Sequence, residues 1–475
     1  MNDFDDSSRL SSRPRSAATA LDPGLAEVLD ILRRGAAADY IGEPVSQLEH
    51  MLQGAHLAEQ AKATDDEILG VLLHDIGHLC AGPDAPDMAG LGVVDHERIG
   101  ADFLRARGFS ATVCHLVEGH VQAKRYLVAQ RASYAHQLSA ASTGTLAFQG
   151  GPMTANEAAR FERDPLFASL LRVRSWDERA KDAGRSVPGL DHYQPLLERH
   201  LTAVARAQAA LRQRGLDLLD EPARQSWRDN GFVVLRGLYR ERAAELVEFT
   251  DELCSWPETP GKWMKWFEAT ERDPRMLCRI EDFLPYHRGF RELLQGPLIT
   301  AILSELMGEE ATLYKEKVNL KLPGGAGFGA HQDAPAFTTF GQTYHITLAI
   351  SIDASDEQNG CLELVHGSHQ RGLLRQEAGG TIHPDVVQSL DWQPLRTQPG
   401  DVVLFDSYVP HRSGPNRSER PRRSLYVTYA RKSEGDFRAD YFRDKRAAFP
   451  PECERVAGAD YSAAADLYNL GNPIR

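Results

Sequence analysis

The hydrophobic pattern of the chain changes once, near residue 215, and this change restricts the fold more than any other feature. Before that point apolar residues recur at helical spacing, as in TDDEILGVLLHDIGHL, which opens with the capping-box pair Thr64 and Glu67. From Gly231 onward, short β-rich runs such as TYHITLAISID and PGDVVLFDSYVPH are separated by Gly and Pro. The sequence therefore predicts a multidomain chain with separate α and β regions.

The positions of these patterns predict the domain boundaries. We expect Gly215 to end the last helix of the α region. The predicted segments are a disordered N-terminus at 1–22, a helical domain at 23–214, a linker at 215–224, a β-sandwich or barrel domain at 225–450 and a C-terminal extension at 451–475.

Composition excludes several classes of partner. The net charge is −13 and basic residues form no run, so we expect no nucleic-acid or membrane surface. Any anion must then bind at a local cluster of cations inside a cleft. The six cysteines are scattered without a CxxC pair, and no stretch of 18 apolar residues exists. We therefore expect reduced thiols and a cytoplasmic protein, while the oligomeric state stays open.

The segment VLLHDIGHL sets His74 and Asp75 between aliphatic residues, where an uncompensated charge would be costly. Imidazole and carboxylate together suit first-row transition metals, especially iron, and bound metal would offset that cost. Four more residues of these two types occur at helical positions nearby. The predicted ligands are His50, His74, Asp75, His96, His120 and Asp177.

These six residues, in this order, resemble the ligands of the HD-domain superfamily, in which the aspartate of the His-Asp pair bridges two metals. Most members are phosphohydrolases. However, Tyr40 and Glu43 in YIGEPVSQLEH, and the helix LLRVRSWDERAKD, resemble the HD oxygenases that cleave a carbon–phosphorus bond and the related myo-inositol oxygenase group. The resemblance covers about residues 35–185. It favours an oxygenase over a hydrolase and implies an all-helical fold.

The resemblance also implies roles for residues outside the ligand set. It implies two irons that work as a mixed-valent Fe(II)/Fe(III) pair, with Tyr40 over an open iron position until substrate enters. Tyr40, Glu43, His78 and Lys124 are then the catalytic residues. The donors that hold the phosphonate are His78, Lys124, Ser142 and Arg174. Charge-assisted hydrogen bonds suit such a dianion.

The β region contains a second set of metal ligands. In FGAHQDAPAF, His331 and Asp333 are two residues apart, so a strand would place both side chains on one face. His411 follows the run PGDVVLF, and Arg422 comes eleven residues later. Two histidines and one carboxylate form the facial triad of non-haem Fe(II) oxygenases. We therefore predict one Fe(II) bound by His331, Asp333 and His411.

This pattern resembles the phytanoyl-CoA dioxygenase family of 2-oxoglutarate-dependent hydroxylases over about residues 225–435. The resemblance implies a double-stranded β-helix, or jelly roll, with 2-oxoglutarate and O2 as cosubstrates. It assigns the distal carboxylate of 2-oxoglutarate to Arg422, although Arg420 and Arg423 are close enough to remain alternatives. It also implies that Asn319 and Ser413 contact the cosubstrate.

Together the two resemblances predict a bifunctional enzyme of phosphonate breakdown. The C-terminal domain would hydroxylate C1 of 2-aminoethylphosphonate. The N-terminal domain would then cleave the C–P bond to give glycine and phosphate. Two alternatives remain open: the same chemistry on an N-methylated aminophosphonate, and an HD phosphohydrolase fused to a hydroxylase of another small molecule.

Overall fold

A computed structural model describes residues 22–38, 40, 43–335, 340–377, 380–461, 464, 468 and 474. The chain divides into two compact units, Met1–Ala207 and Gln208–Arg475. The predicted disordered N-terminus lies outside the described residues except for Asp22, whose side chain accepts the backbone N–H of Leu25 and so caps the first helix. Much of the predicted C-terminal extension beyond residue 461 also lies outside them.

The regular structure of the first unit is helical, as predicted. Its helices are α1 (Pro23–Arg34), α2 (Gln47–Gln60), α3 (Asp65–Leu73), α4 (Ile76–Cys80), α5 (His96–Arg105), α6 (Ala111–Gln130), α7 (Ala132–Ala135), α8 (Ala140–Phe148), α9 (Ala155–Phe161), α10 (Phe167–Arg179) and α11 (Leu190–Asp217). Their apolar faces meet in one core, which contains Leu29, Leu72, Leu116 and Val173. Burial of these faces, more than helix propensity, holds such helices in place.

The predicted capping box is present at the start of α3. The Thr64 hydroxyl accepts the backbone N–H of Glu67, and the Glu67 carboxylate accepts the backbone N–H of Thr64 at 3.0 Å. The other end of α3 is more important for the site. The helix stops at Leu73, and α4 begins only at Ile76. His74 and Asp75 therefore lie at a break between two helices, where consecutive side chains can turn toward the same point.

The second unit combines two antiparallel sheets with helices. Its helices are α12 (Glu221–Asn230), α13 (Ala243–Ser255), α14 (Arg288–Leu294), α15 (Pro297–Met307), α16 (Pro384–Ser389) and α17 (Arg438–Ala448). Its strands are β1 (Phe232–Leu235), β2 (Met264–Glu268), β3 (Met276–Glu281), β4 (Ala311–Lys321), β5 (Phe328–His331), β6 (His345–Ser351), β7 (Leu362–Leu364), β8 (Gln393–Leu395), β9 (Val402–Asp406), β10 (His411–Ser413) and β11 (Arg422–Arg431). The sheets have the orders β1-β9-β6-β11-β4-β3-β2 and β5-β10-β7-β8, which is the predicted jelly roll.

The two faces of the larger sheet differ in chemistry because side chains alternate along each strand. On β4, Val318 and Leu320 join an apolar core with residues of α13, α14 and α15. The intervening residues, including Lys317 and Asn319, point to the opposite face. This face, referred to below as the inner face, carries the polar residues of the candidate site in the second unit.

The helix at the junction of the predicted domains is longer than expected. We expected Gly215 to end it, but α11 continues to Asp217. The glycine has another role: a Cβ at this position would lie 2.6 Å from the carbonyl oxygen of Leu298 on α15, so only glycine permits the close approach. The segment 215–224, predicted to be a linker, is helical except at residues 218–220.

In the described part of the chain, no helix has the length and apolar character needed to cross a bilayer.

A glycine also controls the packing of α4 against α5. A Cβ on Gly77 would lie 1.8 Å from the carbonyl oxygen of His96, so a side chain cannot fit without moving one helix. We expect Gly77→Ala to cost about 3 kcal/mol and to lower the melting temperature by roughly 6–12 °C. Gly189→Ala is the control, because a Cβ there meets nothing within 4 Å. Calorimetry showing equal melting temperatures for the two variants would contradict this packing.

Candidate metal centres

The six ligands predicted in the first unit come together although they span 128 residues of the chain. They are supplied by α2, the α3–α4 break, the first turn of α5, α6 and α10. All six side chains are buried: His50, His74, Asp75, His96, His120 and Asp177. The helical packing thus gathers every predicted ligand into one cluster.

The carboxylate of Asp75 divides this cluster into two groups. Its Oδ2 lies 3.7 Å from His50 Nε2 and 3.3 Å from His74 Nε2. Its Oδ1 lies 3.4 Å from His96 Nε2 and 3.6 Å from His120 Nε2. One oxygen therefore faces each pair of histidines. This is the arrangement needed for a carboxylate that bridges two metal ions.

Asp177 belongs to the first of these groups. Its Oδ1 lies 3.3 Å from His50 Nε2 and 3.6 Å from His74 Nε2. The guanidinium of Arg174 donates to the other oxygen, Oδ2, and holds the carboxylate in this orientation. One group thus offers two histidines and two carboxylates, whereas the other offers two histidines and the shared Asp75.

The histidines are oriented to accept a cation. In each ring Nδ1–H donates to a backbone carbonyl oxygen, so Nε2 has the free lone pair. The carbonyls belong to Ala180 for His50, Val71 for His74, Val93 for His96 and Val117 for His120. The two Nε2 atoms within each pair are only 3.1 Å and 3.2 Å apart. Two lone pairs so close repel unless a proton or a metal ion lies between them, so the donors fit metal binding.

Electrostatics support the same conclusion. Burial disfavours a charged His74, yet the carboxylates of Asp75 and Asp177 raise its pKa to about 10. Burial also opposes ionisation of Asp75, but His74 keeps the pKa of that carboxyl well below its usual range. The cluster therefore holds two carboxylates and favours positive charge. Imidazole and carboxylate donors together suit iron and similar ions.

A cavity of about 270 Å³ adjoins the cluster and contains the other residues predicted from the HD resemblance. They are Tyr40, Glu43, His78, Lys124, Ser142 and Arg174. The ring of Tyr40 stacks on His50, with centroids 4.1 Å apart and planes at 14°. Glu43 donates its backbone N–H to the Tyr40 carbonyl and pairs with Lys181 at 3.1 Å. The structure thus brings all these residues to one cavity beside the metal ligands.

His78 and Lys124 present hydrogen-bond donors to this cavity. His78 Nδ1 accepts the backbone N–H of Val93 at 3.2 Å, so its proton lies on Nε2. Burial lowers the pKa of His78 to about 3, which keeps the ring neutral. Lys124 donates to the Thr145 hydroxyl at 3.0 Å, and burial lowers its pKa to about 7. An anion in the cavity would restore the charge of this lysine.

Ser142 and Arg174 have different surroundings. Ser142 lies in the first turn of α8, and its carbonyl accepts the Thr145 hydroxyl that also binds Lys124. Arg174 is already engaged, because it donates to Tyr134 at 2.8 Å as well as to Asp177. Arg174 therefore orients Asp177, a predicted metal ligand, and the sequence did not indicate this contact. Direct binding of substrate by Ser142 and Arg174 stays a prediction.

In the second unit His331, Asp333 and His411 form a triad. β5 pairs with β10 so that His331 and His411 are opposite each other, with ring centroids 4.1 Å apart. Asp333 Oδ1 lies 3.8 Å from His331 Nε2 and 3.9 Å from His411 Nε2. We expected a strand to carry both His331 and Asp333, but β5 ends at His331 and Asp333 follows in a bend. The carboxylate reaches the histidines all the same, because Thr347 donates to its Oδ2 at 2.8 Å.

The triad has the same hydrogen-bond design as the first cluster. His331 Nδ1–H donates to the Gly329 carbonyl at 2.7 Å, and His411 Nδ1–H donates to the Val409 carbonyl at 3.1 Å. Both Nε2 atoms therefore direct lone pairs toward Asp333. The three donor atoms lie within 4.8 Å of one another, as binding to one ion requires.

The structure separates the three arginines that the sequence left as alternatives. Arg420 is 56% exposed and pairs with Asp356, and Arg423 pairs with Asp353 and Asp251. Arg422 is buried, on the same face of β11 as Tyr426, to whose hydroxyl it donates at 3.2 Å. Within the described residues, its Nε has no hydrogen-bond partner. Only Arg422 therefore has a donor left for a carboxylate inside the domain.

Asn319 and Ser413, the other predicted contacts of the cosubstrate, lie on β4 and β10. Asn319 accepts Arg279 Nε at 2.9 Å, and Ser413 accepts Lys321 Nζ at 2.7 Å. Lys321 is opposite Arg422 in the strand register. Burial, together with Arg422, lowers the pKa of Lys321 to about 6. We did not predict Arg279 or Lys321, although Lys321 is in phase with Asn319 in the strand pattern YKEKVNLKL.

A metal triad between the sheets of a double-stranded β-helix defines a non-haem iron dioxygenase. A family model agrees with this class: "Phytanoyl-CoA dioxygenase (PhyH)" matches residues 227–424. A second model, "HD domain", matches residues 48–142. The chain belongs to the phytanoyl-CoA dioxygenase family, carries an HD domain in its N-terminal half, and is an oxidoreductase.

Three curated proteins illustrate these similarities. A 2-aminoethylphosphonate dioxygenase of an uncultured bacterium is 56% identical over 52% of this chain and 96% of its own length. A methylphosphonate hydroxylase of Gimesia maris is 44% identical over 47% of this chain and 85% of its own. The [1-hydroxy-2-(trimethylamino)ethyl]phosphonate dioxygenase (glycine-betaine-forming) of Leisingera caerulea is 42% identical over 35% of this chain and 84% of its own.

The shared position of Asp75 leads to a test of metal content. Anaerobically loaded protein should bind three irons per chain, measured by mass spectrometry of the metal. Asp75→Ala should lose both irons of the first unit, because one of its oxygens faces each histidine pair. His331→Ala should lose only one iron. If Asp75→Ala kept two irons, the carboxylate would not bridge two metals.

The free donor of Arg422 leads to a second test. Arg422→Ala should raise the KM for 2-oxoglutarate about 30-fold or more, because a buried carboxylate would lose its charged partner. Arg422→Lys should recover the affinity for 2-oxoglutarate only in part, since lysine lacks the planar pair of donors. Arg420→Ala is the matched control, because Arg420 pairs with Asp356 at the surface. A larger effect from Arg420→Ala than from Arg422→Ala would assign the binding of the 2-oxoglutarate carboxylate to Arg420.

Proposed function

We propose that this protein degrades an aminophosphonate by two successive oxidations, one in each half. The second half hydroxylates C1 of 2-aminoethylphosphonate, and the first half cleaves the C–P bond of the product. The observation that carries the proposal is the division of the Asp75 carboxylate between two histidine pairs. A chain that also contains an iron and 2-oxoglutarate site can then perform both oxidations.

The two reactions balance as a sequence. In the first, 2-aminoethylphosphonate, 2-oxoglutarate and O2 give 1-hydroxy-2-aminoethylphosphonate, succinate and CO2. In the second, the hydroxylated product and O2 give glycine and phosphate. The new hydroxyl is required for the second step, because the carbon attached to phosphorus must become the carboxyl carbon of glycine.

The names of the relatives support this order. One relative is named for 2-aminoethylphosphonate, and another for a 2-substituted ethylphosphonate that already has a hydroxyl at C1. The product of the first kind of reaction is thus the kind of substrate that the second accepts. One chain with similarity to both fits an enzyme that catalyses consecutive steps.

In the first half the cavity residues would hold the phosphonate. The neutral His78 would donate its Nε2–H to a phosphonate oxygen, and Lys124 would add a charge-assisted hydrogen bond. Ser142 and Arg174 line the same cavity and would complete the set of donors. Two irons bound by the six ligands, as a mixed-valent pair, would supply the one-electron chemistry with O2 that C–P cleavage requires.

Tyr40 and Glu43 would restrict access to the metal ligands. The stacked ring of Tyr40 covers His50, and the ion pair of Glu43 with Lys181 fixes the segment that carries Tyr40. Substrate binding would displace the phenol from this position. Until then, Tyr40 would limit the exposure of the metals to O2.

The cavity favours a primary ammonium group over a trimethylammonium group. Quaternary ammonium ions bind in cages of several aromatic rings. Apart from histidines, Tyr40 is the only aromatic residue that lines the described cavity. The lining includes Glu43 and Gln149, whose side-chain oxygens can accept N–H groups. We therefore favour 2-aminoethylphosphonate over its N-methylated analogues.

In the second half Arg422 would bind the distal carboxylate of 2-oxoglutarate. Ser413 would support it through Lys321, and Asn319 would contact the cosubstrate from β4. The Fe(II) held by the triad would activate O2 together with 2-oxoglutarate. Buried side chains around the triad would keep bulk water from the reacting carbon.

Variants of one ligand in each half should separate the two activities. His331→Ala should lose more than about 100-fold of the hydroxylation rate but still convert synthetic 1-hydroxy-2-aminoethylphosphonate to phosphate without 2-oxoglutarate. Asp75→Ala should accumulate the hydroxylated intermediate and release no phosphate. Phosphorus NMR follows substrate, intermediate and phosphate in one sample.

Other outcomes would point to other functions. Loss of both activities from either folded variant would contradict the assignment of one step to each half. Release of phosphate from nucleotides or phosphoesters without O2 would favour the HD phosphohydrolase alternative. Turnover of 2-(trimethylamino)ethylphosphonate in preference to 2-aminoethylphosphonate would contradict the assignment of the amine.

A further inference from the structure

The phenol of Tyr426 contacts the guanidinium of Arg422 from the same strand. Both residues belong to β11 and are four positions apart, so strand alternation places both side chains on the inner face. The hydroxyl oxygen of Tyr426 accepts an N–H of Arg422 at 3.2 Å. An arginine side chain has several rotatable bonds, and a hydrogen bond at its tip restricts how the planar guanidinium can turn. Tyr426 therefore limits the directions in which the other donors of Arg422 can point.

The ring of Tyr426 is itself held between the two sheets. It packs against an apolar cluster that includes Leu362 and Leu364 of β7 and Phe405 of β9. From β4, the ammonium of Lys317 lies 5.8 Å from the centre of the ring, within the range of a cation–π contact. β7 belongs to the smaller sheet, whereas β4 and β9 belong to the larger one. Contacts from both sheets thus give the hydroxyl a defined position.

The strand register places Tyr426 between Arg422 and the metal triad. Thr428 of β11 is opposite Thr347 of β6, whose hydroxyl donates to Asp333 of the triad at 2.8 Å. Along the inner face of β11, Tyr426 is one position from Thr428 and two positions from Arg422. A cosubstrate that joins Arg422 to the metal ligands therefore has to pass the ring of Tyr426.

The apolar cluster provides a second connection to the triad. The ring of Phe405, a member of this cluster, has its centroid 4.9 Å from that of the His411 ring. The cluster thus contacts a predicted metal ligand and also supports Tyr426. Because both contacts involve the same packed side chains, the phenol cannot move far relative to the metal ligands without disturbing the core.

We propose that Tyr426 is a positioning residue for 2-oxoglutarate, because its hydroxyl fixes Arg422 at the distance from the triad that the cosubstrate spans. The inference rests on the proposed function, in which Arg422 binds the distal carboxylate. The hydroxyl takes one N–H of the guanidinium and leaves the others for this carboxylate, including Nε, which has no hydrogen-bond partner within the described residues. Loss of the hydroxyl would let the guanidinium turn, so that fewer of its orientations bind the carboxylate.

Calorimetry with two oxo acids tests this role. Each is titrated anaerobically into Fe(II)-loaded protein: 2-oxoglutarate, and 2-oxopentanoate, which has a methyl group in place of the distal carboxylate. Tyr426→Phe keeps the ring and removes the hydroxyl. It should weaken the binding of 2-oxoglutarate about 10-fold and change that of 2-oxopentanoate less than about twofold. The KM for 2-oxoglutarate, followed as succinate, should rise by the same factor, with no change in the KM for 2-aminoethylphosphonate.

A double-mutant cycle distinguishes positioning from direct contact with the cosubstrate. In the Arg422→Ala background, Tyr426→Phe should weaken the binding of 2-oxoglutarate less than about twofold further, because the partner of the hydroxyl is absent. Tyr429→Phe is the matched control on the same strand. Tyr429 packs on the opposite face of the sheet, where its hydroxyl donates to the Leu294 carbonyl at 2.7 Å. This variant should melt at a lower temperature and bind both oxo acids as the unaltered protein does.

Three outcomes would overturn the inference. The first is equal affinity for 2-oxoglutarate in Tyr426→Phe and the unaltered protein. The second is an equal loss for both oxo acids, which would indicate a general effect on packing. The third is a full additional loss in the Arg422→Ala background, which would indicate direct contact between Tyr426 and the cosubstrate. If Arg422→Ala alone left the affinity for 2-oxoglutarate unchanged, the cosubstrate site of the proposed function would fail, and this inference with it.

Discussion

The carboxylate of Asp75 is the constraint on which the first unit depends. It is buried among four imidazoles, and each oxygen faces a different pair. Burial alone would make an anion here too costly, so the helices that meet at this point require cations to balance it. The break between α3 and α4 exists at this residue, since a continuous helix would point His74 and Asp75 in different directions. The local fold and the candidate metal site therefore depend on each other.

Both units orient their predicted ligand histidines by backbone hydrogen bonds, although one is built from helices and the other from strands. In both, every predicted ligand histidine donates Nδ1–H to a backbone carbonyl, which leaves Nε2 for an ion. His50 donates to the distant carbonyl of Ala180. For the other predicted histidines of the first unit the carbonyl lies three residues earlier, whereas for the two of the second unit it lies two residues earlier. Apart from His50, the acceptor thus follows from the local geometry of the chain, and no additional side chain is needed to select the tautomer.

The sequence identified the candidate ligands but not their arrangement. The six predicted in the first unit meet in one cluster and the three predicted in the second unit meet in another, because residue type and order depend little on exact geometry. The selection of Arg422 over Arg420 and Arg423 required the strand phase and the acidic partners, and these partners are distant in sequence. Likewise, Gly215 does not end α11, and the close approach of Leu298 on α15, which accounts for the glycine, is distant in sequence. By contrast, the phase of the lysines on β4 could have been derived from YKEKVNLKL alone.

The proposed phosphonate substrate poses a further electrostatic problem, because a chain with a net charge of −13 would have to bind a dianion. The negative surface field repels such a substrate, so affinity must arise from buried donors. The free-energy cost of removing water from these donors is incurred when the protein folds and not when the substrate binds. Burial has lowered the pKa of Lys124 to about 7, which makes this lysine a poor cation by itself. A dianion bound beside it would raise that pKa, and this proton uptake would couple charge recognition to binding. A neutral or singly charged analogue would gain less from the same lysine, so the cost of burying it would become selectivity for the doubly charged group.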